Sequence, residues 1–213
     1  MMRIHCAGAN AFLLDMSEGT FQDTIQVRIW GMAHVLQAAQ GITMLTPGAN
    51  NLLVVFDPQI TEIQSIHRLL KQAWDQAASI SITPRELVVS VVYGGDGGED
   101  LAHVAQQTRL SETEVVRLHT SCAYRVAMIG YSPGFGYLTG LPPQLHVPRR
   151  DRPRLSVERK SVCLGGEFTC VMPQTTPSGW HILGKAQCPP LFDPTAQKPC
   201  FLQAGDIVRF VRA

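Results

Sequence analysis

The chain has 213 residues, of which 45% are hydrophobic and 16% charged, and its formal net charge is +1. This is the composition of a globular protein with room for two small domains, and a charge near zero does not favour binding to nucleic acid or to a membrane surface. No apolar run reaches the roughly 20 residues that cross a bilayer, and the first ten residues lack the apolar core of a signal peptide, so we expect a cytoplasmic protein.

The first part of the chain alternates strands and helices. Residues 10–16 predict a strand, and an apolar stripe at helical spacing predicts a helix that ends near Gly41. Two extended apolar runs, 42–46 and 52–56, flank a turn rich in Pro, Gly and Asn and predict a hairpin. A second helical stripe and the apolar strand 86–93 follow. The order β-α-β-β-α-β is typical of a split, ferredoxin-like sandwich.

We therefore predict an α+β ferredoxin-like domain over residues 1–82, with the strand 86–93 shared with the next domain or crossing over to it. The boundary is expected between Ser79 and Arg85. Four glycines in residues 94–98 predict a flexible turn, since neither the spacing nor a following Gly-Lys-Ser/Thr fits a phosphate-binding loop. Short apolar runs separated by Pro and Gly then predict a mainly β barrel or sandwich over residues 83–213.

A cluster of glycines and aromatic residues occupies residues 130–138, with the sequence GYSPGFGYL. Pro133 and Gly134 predict a turn, and Phe135 and Tyr137 lie beside it. One interpretation is a rigid turn packed by aromatic rings. The other is the apolar wall of a ligand pocket, where glycines let backbone amides approach the ligand.

Four arginines occur within the six residues 149–154, in the sequence RRDRPR. Guanidinium groups bind carboxylates and phosphates through two parallel hydrogen bonds, so Arg149, Arg150 and Arg154 are candidate anion ligands. The alternative is a solvated loop in which Asp151 is the local partner of the arginines.

Three histidines are candidate acid–base groups, because an unperturbed imidazole titrates near neutrality. They are His119, His146 and His181, and no two of them have the spacing of a metal pair, so no metal site is predicted. The alternative is that they are structural or surface residues. The six cysteines form no C-x-x-C pair and are expected to be reduced thiols.

Taken in order, these segments resemble the PxpB/KipI family of 5-oxoprolinase subunits, whose members are also described as allophanate hydrolase subunit 1-like and as carboxyltransferase-domain subunits. Each segment is weak alone, but the ordered set over residues 90–211 is specific. The matching segments include Tyr93-Gly94-Gly95, Asp100-Leu101, Leu118-His119-Thr120, Pro133 to Leu138, Pro148-Arg149-Arg150, Pro153-Arg154, Gly165-Gly166, Thr169, Gly179-Trp180 and Asp206 to Phe210.

The resemblance implies an N-terminal α+β domain followed by a cyclophilin-like β-barrel. It also implies that the chain pairs with a PxpC/KipA-like subunit and, together with a PxpA-like subunit, opens 5-oxoproline to L-glutamate at the expense of ATP. The chain has no recognisable nucleotide-binding loop, so ATP is expected to be shared with the partner subunit or bound by it.

The resemblance also implies where the ring and its charges are bound. Arginines bind the carboxylate or a phosphoryl oxygen, aromatic side chains wall the ring, and amides near two of the glycines stabilise negative charge on the lactam oxygen. A histidine serves as a proton shuttle. The residues implied in substrate binding are Gly134, Phe135, Tyr137, Arg149, Arg150, Arg154, Gly166, Thr169 and Trp180, and the implied catalytic residue is His119.

One segment departs from the family pattern. Where the family usually has Pro-Ala-Gly, this chain has Glu158, Arg159 and Lys160, and where it usually has Gln, this chain has Phe168. We expect these residues at the pocket rim, where they change its charge and remove an amide that can both donate and accept. Two alternatives follow: a divergent paralogue that acts on another lactam or urea-derived amide, or a regulatory protein of the KipI type that inhibits a sensor histidine kinase.

Overall fold

The computed structural model describes residues 2–17, 19–80 and 83–213. The chain divides into two compact units, Met1–Thr83 and Pro84–Ala213. The division falls inside the segment from Ser79 to Arg85, where the sequence predicts a boundary, and residues 81 and 82 of that segment lie outside the described ranges.

The first unit is a four-stranded antiparallel sheet with two helices. The elements are β1 Arg3–Cys6, β2 Ala11–Asp15, α1 Asp23–Leu36, β3 Ile42–Gly48, β4 Asn51–Phe56 and α2 Ile63–Ala77. The sheet has the order β1-β2-β4-β3. A tight turn at Asn50, which has a positive φ of 53°, closes the predicted hairpin between β3 and β4.

Alternation along the strands and helical spacing along the helices build the core of this unit. In β4, Leu52, Val54 and Phe56 are buried at every second position. The apolar stripes of α1 and α2 contribute Ile29 and Leu70 to the same cluster. The predicted helices and hairpin are therefore confirmed.

Of the two predicted alternatives for strand 86–93, the structure supports crossing over to the second unit and not sharing with this sheet. Residues 86–93 pair only within the second unit, and the place beside β2 is taken by β1, whose four residues Arg3–Cys6 run antiparallel to it. The short, mostly polar β1 has no apolar alternation that would predict a strand. The run of valines in 86–93, by contrast, suits a strand with neighbours on both sides wherever it lies.

The second unit is built on a closed seven-stranded barrel, so the predicted barrel is confirmed at this level. The elements are β5 Glu86–Tyr93, α3 Leu101–Thr108, α4 Glu112–Thr120, β6 Tyr124–Ile129, β7 Gly136–Thr139, β8 Arg154–Val157, β9 Ser161–Gly165, β10 Phe168–Val171, β11 Thr176–Ser178, β12 His181–Gln187 and β13 Ile207–Arg212, with 3₁₀ turns at Gly95–Gly97 and Pro143–Leu145. The barrel order is β10-β7-β6-β13-β5-β12-β9, and β8 pairs with β11 in a separate small sheet.

The barrel has one parallel strand pair, between β5 and β13, while the other pairs in it are antiparallel. Helices α3 and α4 pack against it through Val104 and Val115, which belong to the same buried cluster as Val91, Leu164 and Phe210 of the strands. Within the described ranges, no helix combines the length and the apolar character that a membrane crossing needs.

Candidate functional site

An aromatic pocket forms where the turn after β6 meets the start of β12. It encloses a cavity of about 140 Å³ lined by Phe135, Tyr137, Arg149 and Trp180 together with neighbouring side chains. The rings of Phe135 and Tyr137 are edge to face with centroids 4.8 Å apart, and that of Trp180 lies 5.8 Å from Phe135 and 5.9 Å from Tyr137. Such contacts fix the orientation of the rings, so the pocket has rigid apolar walls.

The turn that carries Phe135 into the pocket is of type II. The amide of Phe135 donates to the carbonyl of Ser132 over 3.0 Å, and Gly134 has the positive φ of 78° that the third position of such a turn requires. A Cβ at Gly134 would lie 2.5 Å from the carbonyl oxygen of Leu191. Gly134 is therefore needed for a close approach to the Leu191 backbone.

The wall formed by Trp180 depends on a second glycine. A Cβ at Gly165 would lie 2.7 Å from Cδ2 of the Trp180 ring, closer than side-chain atoms approach. The indole is 5% exposed and therefore has little room to move.

Gly165→Ala is expected to displace the indole and lower the free energy of unfolding by about 1–3 kcal/mol, measured by thermal or urea denaturation. Gly130→Ala is the matched control, because its Cβ would lie 4.0 Å from Tyr137, an ordinary contact. Equal stability of the Gly165→Ala protein and the wild type would show that Trp180 is not held in this position.

Arg149 provides the positive charge at the aromatic pocket. Its guanidinium lies over the Trp180 ring, with Cζ 5.4 Å from the centroid, which is a cation–π contact. Among the residues that the structure describes, the salt bridges of this loop involve Arg150 and Arg154 but not Arg149. Arg149 is also exposed, so its donors are available to an anion.

Arg150 and Arg154 are bound to a buried carboxylate. Asp100, which is 3% exposed, accepts from Nη1 of Arg150 at 2.8 Å and from both terminal nitrogens of Arg154 at 2.6 and 2.8 Å. The amide of Ile182 completes the set at 2.8 Å. The prediction that Arg150 and Arg154 are free to bind a substrate anion is therefore not supported: their first partner is Asp100, which holds the loop against β12.

The environment of Asp100 keeps it charged. Burial alone raises the pKa of this carboxyl, but hydrogen bonds from Arg154 and the Ile182 amide, with the charges of Arg154 and Arg150, outweigh that effect and lower it. A carboxylate with four donors is fully satisfied, so it acts as an anchor for residues 149–154, which we call the arginine loop.

His119 lies in the core of the barrel and is fully buried. Its Nδ1 is 2.7 Å from the hydroxyl of Tyr93 and its Nε2 is 3.0 Å from that of Thr169. The Thr169 hydroxyl donates to the carbonyl of Cys163 at 3.0 Å, so it must accept from Nε2–H, and Nδ1 must accept from Tyr93. The hydrogen bonds thus run in one direction, from Tyr93 through His119 and Thr169 to Cys163.

This environment argues against the predicted roles of His119 and Thr169. Burial lowers the pKa of His119 to about 3, so the imidazole is neutral at physiological pH and both its nitrogens are occupied. Thr169 is likewise fully buried. Both residues are structural here, which for His119 is the alternative interpretation of the sequence.

The amide of Gly166 is also occupied. It donates to the carbonyl of Val147 at 2.8 Å, in a bridge that ties the turn between β9 and β10 to the segment before the arginine loop. Gly166 has a positive φ of 65°, which explains the glycine. The predicted use of this amide to stabilise an oxyanion is therefore not supported.

The departures from the family pattern lie in two different places. Phe168 packs edge to face against Tyr137, with centroids 5.8 Å apart, and so belongs to the aromatic cluster. Glu158, Arg159 and Lys160 do not line the aromatic pocket, and Glu158 forms an ion pair with Lys185. The prediction that these three residues form the rim of the same pocket is wrong.

Sequence reasoning missed Asp100 as the centre of the arginine cluster. The only indication was its place in the Asp100-Leu101 match, and nothing in the local sequence pairs it with arginines 50 and 54 positions later. It also missed Tyr93 as the partner of His119. In the sequence, Tyr93 lies at the end of a strand and His119 near the end of a helix, and only the closed barrel brings the two side chains together.

Comparison with known proteins gives a consistent result. The family described as carboxyltransferase domain, subdomain C and D, matches residues 2–202. A protein of Escherichia coli O157:H7 named as the B subunit of 5-oxoprolinase is 41% identical, and the alignment covers 99% of this chain and 97% of that protein. A protein of the same name from Haemophilus influenzae is 37% identical, and the alignment covers 87% of this chain and 86% of that protein. The solved structure of TTHA0988 is 31% identical with a TM-score of 0.83 over 96% of this chain, which spans 40% of that longer protein.

Proposed function

The chain belongs to the family of 5-oxoprolinase B subunits, which are carboxyltransferase-domain proteins, and from this premise we propose that it is a subunit of an ATP-dependent 5-oxoprolinase. With a PxpC/KipA-like subunit and a PxpA-like subunit, it opens the lactam ring of 5-oxoproline to give L-glutamate. The observation that carries the proposal is the likeness to subunits of that name over nearly the whole chain, 34–41% identical in three relatives.

The aromatic pocket supports this proposal by its size and chemistry. 5-Oxoproline is a small five-membered lactam with one carboxylate. A cavity of about 140 Å³ lined by Phe135, Tyr137 and Trp180 suits a small ring better than a drug-sized ligand, for which cavities of about 300 Å³ or more are usual. Arg149, which has no carboxylate partner among the described residues, stands at this pocket and matches the carboxylate.

The chain contributes binding and orientation to the reaction. The aromatic side chains hold the ring and exclude water from one side of it, while Arg149 fixes the carboxylate through two hydrogen bonds. Burial raises the pKa of the Tyr137 phenol, so its hydroxyl stays protonated and can donate to the lactam. ATP supplies the free energy that drives the opening of a stable amide.

The proposal is tested with the assembled complex. The chain is co-expressed with PxpC-like and PxpA-like subunits, and ATP hydrolysis and glutamate release are measured with and without 5-oxoproline. We expect both to depend on 5-oxoproline and on the presence of this chain. A complex that forms but shows no stimulation by 5-oxoproline would overturn the proposal and favour a regulatory binding role.

Arg149→Lys in that complex is expected to lower kcat/KM for 5-oxoproline by about tenfold or more, since lysine keeps the charge but not the two-pronged contact. Arg212→Lys, on the exposed end of β13, is the matched control. An undiminished rate in the Arg149→Lys complex would mean that the carboxylate is bound elsewhere.

A further inference from the structure

A second cavity in the same unit shares Arg149 with the aromatic pocket. It encloses about 380 Å³ between α3, the arginine loop and the first residue of β12. We call it the arginine–histidine cavity. Its titratable and charged lining consists of His103, Arg149, Arg150, Asp151, Arg152 and His181.

The charges of this lining are unbalanced. Arg150 is paired with Asp100, which leaves Arg149 and Arg152 against one carboxylate of the lining, that of Asp151. Among the described residues, the salt bridges of the loop use Arg150 and Arg154 but neither Arg149 nor Arg152. Asp100 holds Arg150 from behind, at 2.8 Å, and fixes the direction of its guanidinium. The cavity is thus a preorganised positive region rather than a network that neutralises itself.

Two buried polar atoms of the lining residues have no hydrogen-bond partner within the described ranges: Nε of Arg150 and Nδ1 of His181. His181 is 4% exposed, and its Nε2 lies 2.9 Å from the Pro148 carbonyl, which can only accept. Nε2 therefore carries the proton, and Nδ1 is left as an acceptor. A buried donor and a buried acceptor without partners are costly, so two residues of this lining have hydrogen-bonding capacity that the described residues do not meet.

A phosphate group fits this pair. At neutral pH its second ionisation is incomplete, so it offers both a P–O–H donor and P–O⁻ acceptors, the two kinds of partner that Nδ1 of His181 and Nε–H of Arg150 lack. His103 stacks on His181 with ring centroids 5.3 Å apart and is an exposed residue of the cavity lining. The volume and the number of arginines suit several anionic oxygens rather than one carboxylate.

We propose that the arginine–histidine cavity binds the phosphate groups of a polyphosphate anion, beside the aromatic pocket and with Arg149 between the two. That the polyphosphate belongs to ATP rests on the proposed function, whereas the anion site itself does not. Since the chain has no glycine-rich phosphate loop, the contacts come from side chains of the arginine loop and from the two stacked histidines.

The test is isothermal titration calorimetry on the full chain with inorganic tripolyphosphate, ATP and adenosine, without divalent cations. We expect tripolyphosphate and ATP to bind and adenosine not to. Combining Arg152→Ala with His103→Ala, two exposed residues outside the ion-pair cluster, should weaken binding by about tenfold or more. Arg212→Ala, which removes the same charge from the barrel away from this cavity, should leave the affinity within about twofold.

Four outcomes decide the proposal. Failure of both phosphate compounds to bind at millimolar concentration, or equal affinities in the double variant and the Arg212→Ala control, would overturn it. Binding of tripolyphosphate but not ATP, lost in the double variant, would support the anion site and assign it to an inorganic source. If the complex shows no 5-oxoproline-dependent ATP hydrolysis but the isolated chain still binds tripolyphosphate through Arg152, the proposed function is refuted and the anion site is supported.

Discussion

His119→Ala is expected to lower the free energy of unfolding by about 3 kcal/mol or more, although the sequence makes this residue a candidate for catalysis. The imidazole is fully buried and stacks on Phe210 with ring centroids 4.7 Å apart. Its loss leaves a cavity and removes the partners of the hydroxyls of Tyr93 and Thr169 at the same time. Both the lost packing and the Tyr93 hydroxyl left without its acceptor are costly, whereas the Thr169 hydroxyl keeps its bond to the Cys163 carbonyl.

Urea denaturation measures this difference, and His5→Ala, which removes an exposed imidazole, is the control. If His119 is structural, the complex formed with the folded fraction of the variant should retain its turnover. Normal stability combined with abolished turnover would restore the proton shuttle and contradict the structural role.

The same residue predicts a dependence of stability on pH. Burial lowers the pKa of His119 to about 3, against an ordinary value of 6.5. Between these two values the unfolded chain binds a proton that the folded chain does not, so the free energy of unfolding should fall as the pH is lowered from 6.5 towards 3. The slope is about 1.4 kcal/mol per pH unit for one such group.

His119→Phe is the matched variant for the pH dependence, since it keeps a ring but cannot titrate. It should lose the part of the slope that His119 contributes. Burial also lowers the pKa of His181, so a smaller slope of the same sign should remain. An identical slope in wild type and variant would show that His119 does not titrate on unfolding.

The part of the site that could be predicted from sequence is the part whose residues belong to recognisable local patterns. The turn at Pro133 and Gly134 places Phe135 and Tyr137 beside each other, and the structure brings Trp180 and Arg149 to the same pocket. Aromatic side chains around a tight turn bury together wherever the turn lies, so the expectation needs no knowledge of the strand order.

What could not be predicted depends on contacts between distant segments. The loop at residues 149–154 shows one acidic neighbour, Asp151, and therefore looks like a solvated or ligand-binding loop. Its actual anchor, Asp100, becomes a neighbour only when β5 and β12 pair in the barrel. His119 likewise sits in a polar stretch of α4, and its burial follows from barrel closure and not from local hydropathy.

The fold likewise has parts that follow from local sequence patterns and parts that depend on contacts between distant segments. The hairpin of β3 and β4 follows from alternation and a turn, and the sequence predicts it correctly. The partners of strand 86–93 do not follow, because a run of valines is compatible with any strand that has neighbours on both sides. Its parallel pairing with β13, more than a hundred residues later, is a property of the closed barrel.

Asp100→Asn is expected to lower the free energy of unfolding by about 3 kcal/mol, because it removes the charge from a buried cluster and leaves two arginines without their counter-ion. The side chain of Asp100 is 4% exposed, and those of Arg150 and Arg154 are 30% and 22% exposed. Asparagine keeps the shape, but it has one carbonyl oxygen where the carboxylate accepts four hydrogen bonds through two oxygens. Its NH2 group, which can only donate, would therefore lie against other donors.

The control is Glu86→Gln, which breaks a pair with Arg209 at 3.9 Å on the barrel surface and should cost no more than about 0.5 kcal/mol. Arg154→Leu combined with Asp100→Asn should cost less than the sum of the single changes, because the two side chains act as one unit. Since the pKa of Asp100 is lowered in the folded chain, its contribution to stability is present above the ordinary value near 3.8 and is lost as the pH falls through the lowered one. A stability loss for Asp100→Asn no greater than that of the surface control, or strict additivity with Arg154→Leu, would show that the arginine loop is held by something other than this carboxylate.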